Sequence, residues 1–162
     1  RGTAAKGKTC VGSGNLLMES VHVAHDAFVG NDCIIGNGTK LAGEIIIDDH
    51  AIISANVLMH QFCRVGGYTM VGGGTRFSQD IPPYTICARE PVAYCGLNLV
   101  GLRRRGFSNE LIENIHNTYR IIYQGGVPLN EALQKVREEV PASPEINYII
   151  EFIENSKRGF VH

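Results

Sequence analysis

No Cys-x-x-Cys pair occurs in this sequence, and its five cysteines (Cys10, Cys33, Cys63, Cys87 and Cys95) are odd in number and widely spaced. That excludes a zinc knuckle and argues against a disulfide framework. Isolated thiols in a reducing compartment are expected instead, each a small buried filler before it is a nucleophile. Neither charge sign is in excess: 15 Lys and Arg stand against 16 Asp and Glu, a formal net charge of -1. With no basic surplus and no aromatic residues interleaved among basic ones, nucleic acid is not an expected partner. Long apolar runs are missing as well. Apolar runs such as Ile45-Ile46-Ile47 have only a few residues, far below the roughly 20 that a membrane-spanning helix needs. No secretory pattern opens the chain. It begins at Arg1 without a Met and close to a repeat, so a fragment or a processed chain is expected. The rest of the composition, 44% hydrophobic and 19% charged over 162 residues, suits one globular domain, alone or with a small appendage.

What is present is a period of six. Stepping by six from Val11 meets Leu17, Val23, Val29, Ile35, Leu41, Ile47, Ile53, Met59, Val65, Val71 and Phe77, twelve large apolar residues in one frame. At 44% hydrophobic content, chance produces such a run about 5 times in 100,000. The next position is often small, as at Gly12, Ala24, Gly30, Gly36, Ala42, Ser54, Gly66 and Gly72. Four places after the apolar residue stands a small or apolar one, as at Val21, Ala27, Cys33, Thr39, Ala51, Val57, Cys63 and Thr69. A helix needs spacings of three and four, and a hairpin needs simple alternation, so six fits neither. It fits one short strand and one corner per hexad, with the large residue inward. Three such sides close a coil of 18 residues. Hexads 11–82 therefore make about four coils of a parallel β-helix, within a first region of residues 1–82. Residues 18 apart then stack. His25 lies under Gly43 and Gly43 under Gln61, with Ala24, Ala42 and His60 as the neighbouring column.

The period stops at Pro82-Pro83. Residues 83–102 read as an irregular crossover, and residues 103–162 as a helical domain of three segments. The first has Ser108 as N-cap and ends at Gly125-Gly126. The second runs from Leu129 to Val140 and stops at Pro141. The third has Ser143 as N-cap, Pro144 at its first position and Gly159 at its close. Such helices would cap the β-helix, dock a partner, or do both. The run Arg103-Arg104-Arg105 precedes the first helix. A solvated basic turn is the plain reading; the functional one is binding of phosphate or of an acidic protein, since guanidinium forks match phosphate oxygens.

His22 and His25 share one segment with Asp26 and take outward phases of the hexad. A single exposed histidine is usually no more than surface. Two histidines and an aspartate on one face weaken that reading. A β-helix face has no cleft of its own, but three prisms packed side by side would create one. Spacing also permits a zinc site in which His22, His25 and His60 ligate a metal across an interface, as in β-helical carbonic anhydrases. A non-catalytic trimeric scaffold is the third class.

The resemblance becomes specific where the hexads meet four strings: Asn15-Leu16-Leu17-Met18 running on to His22-Val23-Ala24-His25-Asp26, then His60-Gln61-Phe62, Gln79-Asp80-Ile81-Pro82-Pro83-Tyr84, and Gly101-Leu102-Arg103-Arg104-Arg105-Gly106-Phe107-Ser108. Hexads alone would indicate only a broad transferase superfamily. With these strings, nearly the whole chain resembles the UDP-N-acetylglucosamine acyltransferases. The resemblance implies a mainly β fold, a left-handed parallel β-helix with a C-terminal α-helical domain. It also implies a cytoplasmic homotrimer with active sites between subunits. The implied reaction is the first step of lipid A biosynthesis, in which a 3-hydroxyacyl group passes from acyl carrier protein to the 3-hydroxyl of UDP-N-acetylglucosamine. No separate cofactor or metal is implied, because the acyl group arrives on the carrier's phosphopantetheine.

By the same resemblance, His25 is the general base and Asp26 assists it. A plain strand sends adjacent side chains to opposite faces, so the pair must sit at a corner for this to work. The backbone N–H of Gly43 is the implied oxyanion donor. His22, His60 and Gln61 match substrate-contacting positions. Asn98, Arg104 and Arg105 match positions near the nucleotide phosphates or the carrier's phosphopantetheine arm, and the Arg run would face an acidic carrier protein. Gly73 matches the acyl groove, where a glycine leaves room for a long chain. Two departures touch sugar binding: Glu44 stands where many members have His, and Val100 where many have an acidic residue. The alternative within the pathway is the N-acyltransferase acting on a UDP-3-O-acyl-glucosamine amine. Its motif resembles Ala-His-Asn more than Ala24-His25-Asp26, and its C-terminal part is simpler.

Overall fold

A computed structural model describes residues 1–162. The hexad leaves room for two extended residues per side, and twelve two-residue strands form between Cys10–Val11 and Arg76–Phe77. They stack as three parallel faces. The first carries Cys10–Val11, Phe28–Val29, Ile46–Ile47 and Arg64–Val65. The second carries Leu16–Leu17, Ile34–Ile35, Ile52–Ile53 and Met70–Val71. The third carries His22–Val23, Lys40–Leu41, Leu58–Met59 and Arg76–Phe77. Every register is a step of 18, as the period requires. The coil winds left-handed. Parallel crossovers are usually right-handed because twisted strands impose it. Two-residue strands accumulate too little twist to do so.

The second residue of each strand points inward. From Val29 to Val71 these side chains are essentially inaccessible, and corner residues such as Ala27, Cys33, Ile45, Ala51, Val57 and Cys63 fill the angles of the prism. At roughly 1.5–3 kcal/mol per fully buried aliphatic side chain, this column is the main stabilising term of the β-helix. Burial pushes the thiol of Cys63 up to about 11 and that of Cys87 up to about 12, so neither is a thiolate at neutral pH. All five cysteines are free.

Each corner needs one left-handed residue, three places after the inward one. Ser20, Asp26, Asp32, Glu44, His50, Asn56, Phe62 and Tyr68 all hold positive φ. That conformation is unfavourable for side-chain-bearing residues, but here it is fixed by stacking bonds between coils. The Glu44 N–H donates to the His25 carbonyl at 2.9 Å, and the Phe62 N–H to the Gly43 carbonyl at 3.2 Å.

The segment expected to be an irregular crossover is ordered differently. Thr85–Ala88 continues the second face beyond Met70–Val71, and Ala93–Leu97 folds back on it antiparallel. Helix α1 (Leu99–Arg104) follows, capped by the Asn98 side chain, so Arg103 and Arg104 lie inside a helix and not before one. The hairpin escapes the hexad frame because it extends only one face. Helices α2 (Asn109–Gln124), α3 (Leu129–Glu139) and α4 (Pro144–Glu154) form around a second apolar core. Ser108 and Ser143 accept the N-cap bonds from Leu111 and Ile146. Helix α4 ends at Asn155, a turn before Gly159. The Asn155 amide and the Ser156 hydroxyl donate to the Glu151 and Phe152 carbonyls and satisfy its last turn. Gly159 instead turns the tail so that Phe160 pairs with Asp80 and Val161 enters the β-helix core.

The helical domain docks on the corner between the first and second faces. The Tyr148 hydroxyl accepts from the Gly67 N–H at 2.8 Å and donates to Asp48, which also pairs with Arg64 at 2.8 Å. The Arg64 guanidinium lies 4.8 Å from the centroid of the Phe152 ring. The third face is left uncovered, with His22 on it and His25 and His60 at the corner that follows.

Candidate active site

His22 is on the third face, and His25 and Asp26 form the corner that follows. Asp26 has φ 57°, and this left-handed turn brings its carboxylate back beside its neighbour's ring. His25 Nδ1 lies 3.1 Å from Asp26 Oδ2. The corner condition set by the sequence is therefore met. Asp26 is buried, whereas the His25 side chain is 46% exposed. Asp26 accepts from the Thr3 N–H at 2.9 Å and from the Thr3 hydroxyl. These two bonds hold its carboxyl down at about 2, with a smaller push from His25 and against the cost of burial. An ionised Asp26 can only accept, so His25 Nδ1 carries a proton, and in the neutral ring this leaves the lone pair on Nε2.

The Cε1–Nε2 side of the ring lies against Gly43. A Cβ built on Gly43 would lie 2.4 Å from both Cε1 and Nε2 of His25. The imidazole thus occupies the space that glycine leaves open one coil above. The Gly43 N–H has no acceptor within the chain and remains free to donate. His22, His25, Gly43 and His60 line one hollow of about 600 Å³ together with Lys40, Leu58, Arg76 and Ser78. His60 Nδ1 lies 3.1 Å from the carbonyl of Gln61. Gln61 sits at the corner above Gly43, exposed, just beyond the lining.

The other candidates lie elsewhere. Gly73 is exposed at the opposite corner of the third face, and a Cβ there would meet nothing closer than 3.4 Å. Asn98 is buried at the corner where the helices dock. Its amide donates to the Tyr68 carbonyl at 3.1 Å, and its carbonyl oxygen caps α1 at Gly101. Arg104 and Arg105 are exposed at the end of the same helix. A single chain does not bring these three to His25. Nor do His22, His25 and His60 converge as a metal-ligand set, and no three His, Cys, Asp or Glu side chains do so anywhere in the chain.

Thr3 was not legible in the sequence as part of the site. It lies outside the hexads, 23 residues from Asp26, a separation that is no multiple of 18. Its contribution is testable. Thr3→Val should raise the Asp26 carboxyl from about 2 toward its ordinary 3.8, read by carboxyl-carbon NMR titration. The sign follows from the depressed value. The stabilisation is complete above the unfolded pKa and is lost as pH falls through the folded one. The wild type should thus lose it progressively as pH falls from about 3.8 to about 2, whereas the variant, its carboxyl nearer 3.8, should have less of it to lose.

A family model described as Udp N-acetylglucosamine O-acyltransferase, domain 2, matches residues 80–161. The chain belongs to this family. Family members resemble it over its whole length. The acyl-[acyl-carrier-protein]–UDP-N-acetylglucosamine O-acyltransferase of Aliivibrio salmonicida is 40% identical over 162 residues, which are 99% of this chain and 62% of that protein. The crystal structure of a UDP-N-acetylglucosamine acyltransferase from Bacteroides fragilis superposes with a TM-score of 0.98 at 73% identity, covering 100% of this chain and 64% of that one. That of Francisella novicida gives 0.92 at 36% identity, over 99% and 59%. The chain spans about three fifths of the length of the curated relatives it matches.

Proposed function

We propose that this chain carries the reacting face of an acyltransferase that moves a 3-hydroxyacyl group from acyl carrier protein to the 3-hydroxyl of UDP-N-acetylglucosamine, the first step of lipid A biosynthesis. The observation that carries the proposal is the His25–Asp26 pair set over Gly43. Nε2 accepts the proton of the sugar hydroxyl as its oxygen attacks the thioester carbonyl. Asp26 holds the imidazole in the tautomer that can do so and stabilises the imidazolium that forms. The Gly43 N–H donates to the oxyanion of the tetrahedral intermediate. As the intermediate collapses, the imidazolium returns its proton to the leaving thiol of the phosphopantetheine. His22, His60 and Gln61 contact substrate around this point, and Gly73 leaves the acyl groove open for a long chain. No further cofactor is required, because the acyl group comes already activated as a thioester.

One open face cannot enclose a substrate, and the remaining parts are supplied by a homotrimer. The outward column of the second face, Leu16, Ile34, Ile52 and Met70 in register, is wholly apolar, with Leu16 50% and Met70 38% exposed. A second copy packed there removes that surface from water. The corner that holds Asn98, Arg104 and Arg105 then meets a neighbour's third face, where the two arginines bind phosphate and the helices receive the acidic carrier. No helix is long and apolar enough to cross a membrane, which suits a cytoplasmic enzyme.

The test uses the full-length protein with 3-hydroxyacyl carrier protein and two acceptors. Turnover with UDP-N-acetylglucosamine, giving a base-labile ester, is the expected result. Turnover only with an amine acceptor would assign the N-acyl reaction instead.

A further inference from the structure

The third face carries two cations that the reaction described above does not use. Its outward column is His22, Lys40, Leu58 and Arg76, in strict register. Strand spacing of about 4.8 Å places Arg76 two rows, or about 10 Å, above Lys40. Both side chains are exposed, and both line the hollow that holds His25 and Gly43. That lining contains no carboxylate. Neither cation takes part in an ion pair: the three in the chain are His25–Asp26, Arg64–Asp48 and Arg137–Glu154. The single bond either one makes runs from Lys40 Nζ to the Ser20 carbonyl at 2.8 Å.

The other faces differ. The second presents only aliphatic side chains, and the first has one cation, Arg64, neutralised by Asp48. In a chain whose charges nearly cancel, two unpaired cations in one hollow create a local positive potential beside the reacting pair. Low-dielectric walls concentrate such a potential on an incoming anion.

We infer that Lys40 and Arg76 bind phosphate oxygens of a substrate seated in this hollow, which rests on the acyl-transfer reading. Arg76 offers a planar fork for two oxygens, and Lys40 a point charge closer to the reacting pair. Two phosphates are available to them: the diphosphate of the acceptor and the phosphodiester of the carrier's arm. The interaction is the same for either, and kinetics separates them.

Lys40→Gln, Arg76→Gln and the double variant are made in the full-length enzyme, and KM is measured separately for nucleotide sugar and for acyl carrier protein. Each single change should raise one KM about tenfold while kcat falls less than threefold, and Lys40→Arg should restore the wild-type value. A rise confined to the nucleotide sugar assigns the acceptor's diphosphate; one confined to the carrier assigns its arm. Wild-type KM should climb with salt more steeply than that of the double variant. Unchanged KM in both arms overturns the assignment, as does a shifted oligomeric state with unchanged KM. Calorimetric titration with inorganic pyrophosphate provides a reading without turnover. Weaker binding by the double variant supports the phosphate site even if the acyl-transfer reading fails, and equal binding by both proteins overturns it.

Discussion

Alanine at His25 in the full-length enzyme should lower kcat/KM for acyl transfer by about 10²- to 10⁴-fold, the range a positioned general base supplies. The fold should not register the change. The His25 side chain is half exposed, its one side-chain hydrogen bond is with Asp26, and Asp26 keeps both of its bonds to Thr3 without it. A surface truncation of this kind usually moves stability by no more than about 0.5 kcal/mol. Thermal melts should therefore overlay while steady-state rates diverge. A variant retaining more than a tenth of wild-type kcat/KM would remove His25 as the base.

Gly43→Ala should come close to the same loss by a different route. Gly43 does not hold a left-handed conformation, so its backbone accepts alanine without strain. The added methyl, however, would stand 2.4 Å from His25 Cε1 and Nε2. Ordinary contact lies near 3.4 Å or beyond, so the ring must retreat by about 1 Å, and a misplacement of that size costs on the order of 10²-fold in rate. The ring is the half-exposed end of a side chain, so it yields before the coil does. The expected signature is a kcat decrease of about 10²-fold, an intact melting transition, and loss of the His25–Asp26 contact in the imidazole NMR spectrum. A variant with full activity would show that Nε2 does not work over Gly43.

These two residues also mark how far the sequence could be read. The period of 18 alone stacks Gly43 over His25, because in a β-helix vertical neighbours follow from counting. The same counting from His22 reaches Lys40 and Arg76, so that column is legible in the sequence too. Counting could not find Thr3, which approaches Asp26 from outside the repeat. It could not show that Asp26 turns toward His25, since that depends on a φ of 57° at a corner. The C-terminal region was legible only in part. Serine caps and apolar stripes located α2, α3 and α4. The hairpin between Thr85 and Leu97 was hidden because it extends only one face and so breaks the period, and the bridge at Phe160 because it forms against Asp80, distant in sequence.

The sequence by itself determined the coil: its period, its register, its inward column and the alignment of His25 with Gly43. A repeat makes each contact a copy of the last, so a local rule propagates through the whole prism. Only the tertiary structure decided the state of the site. Thr3 arrives to hold Asp26 ionised, and Asn98 is committed to capping α1. Tyr148, with Asp48 and Gly67, settles the helical domain on one corner, which leaves the third face open. These are single, unrepeated contacts, those of Thr3 and Tyr148 between distant segments, and no periodicity encodes them.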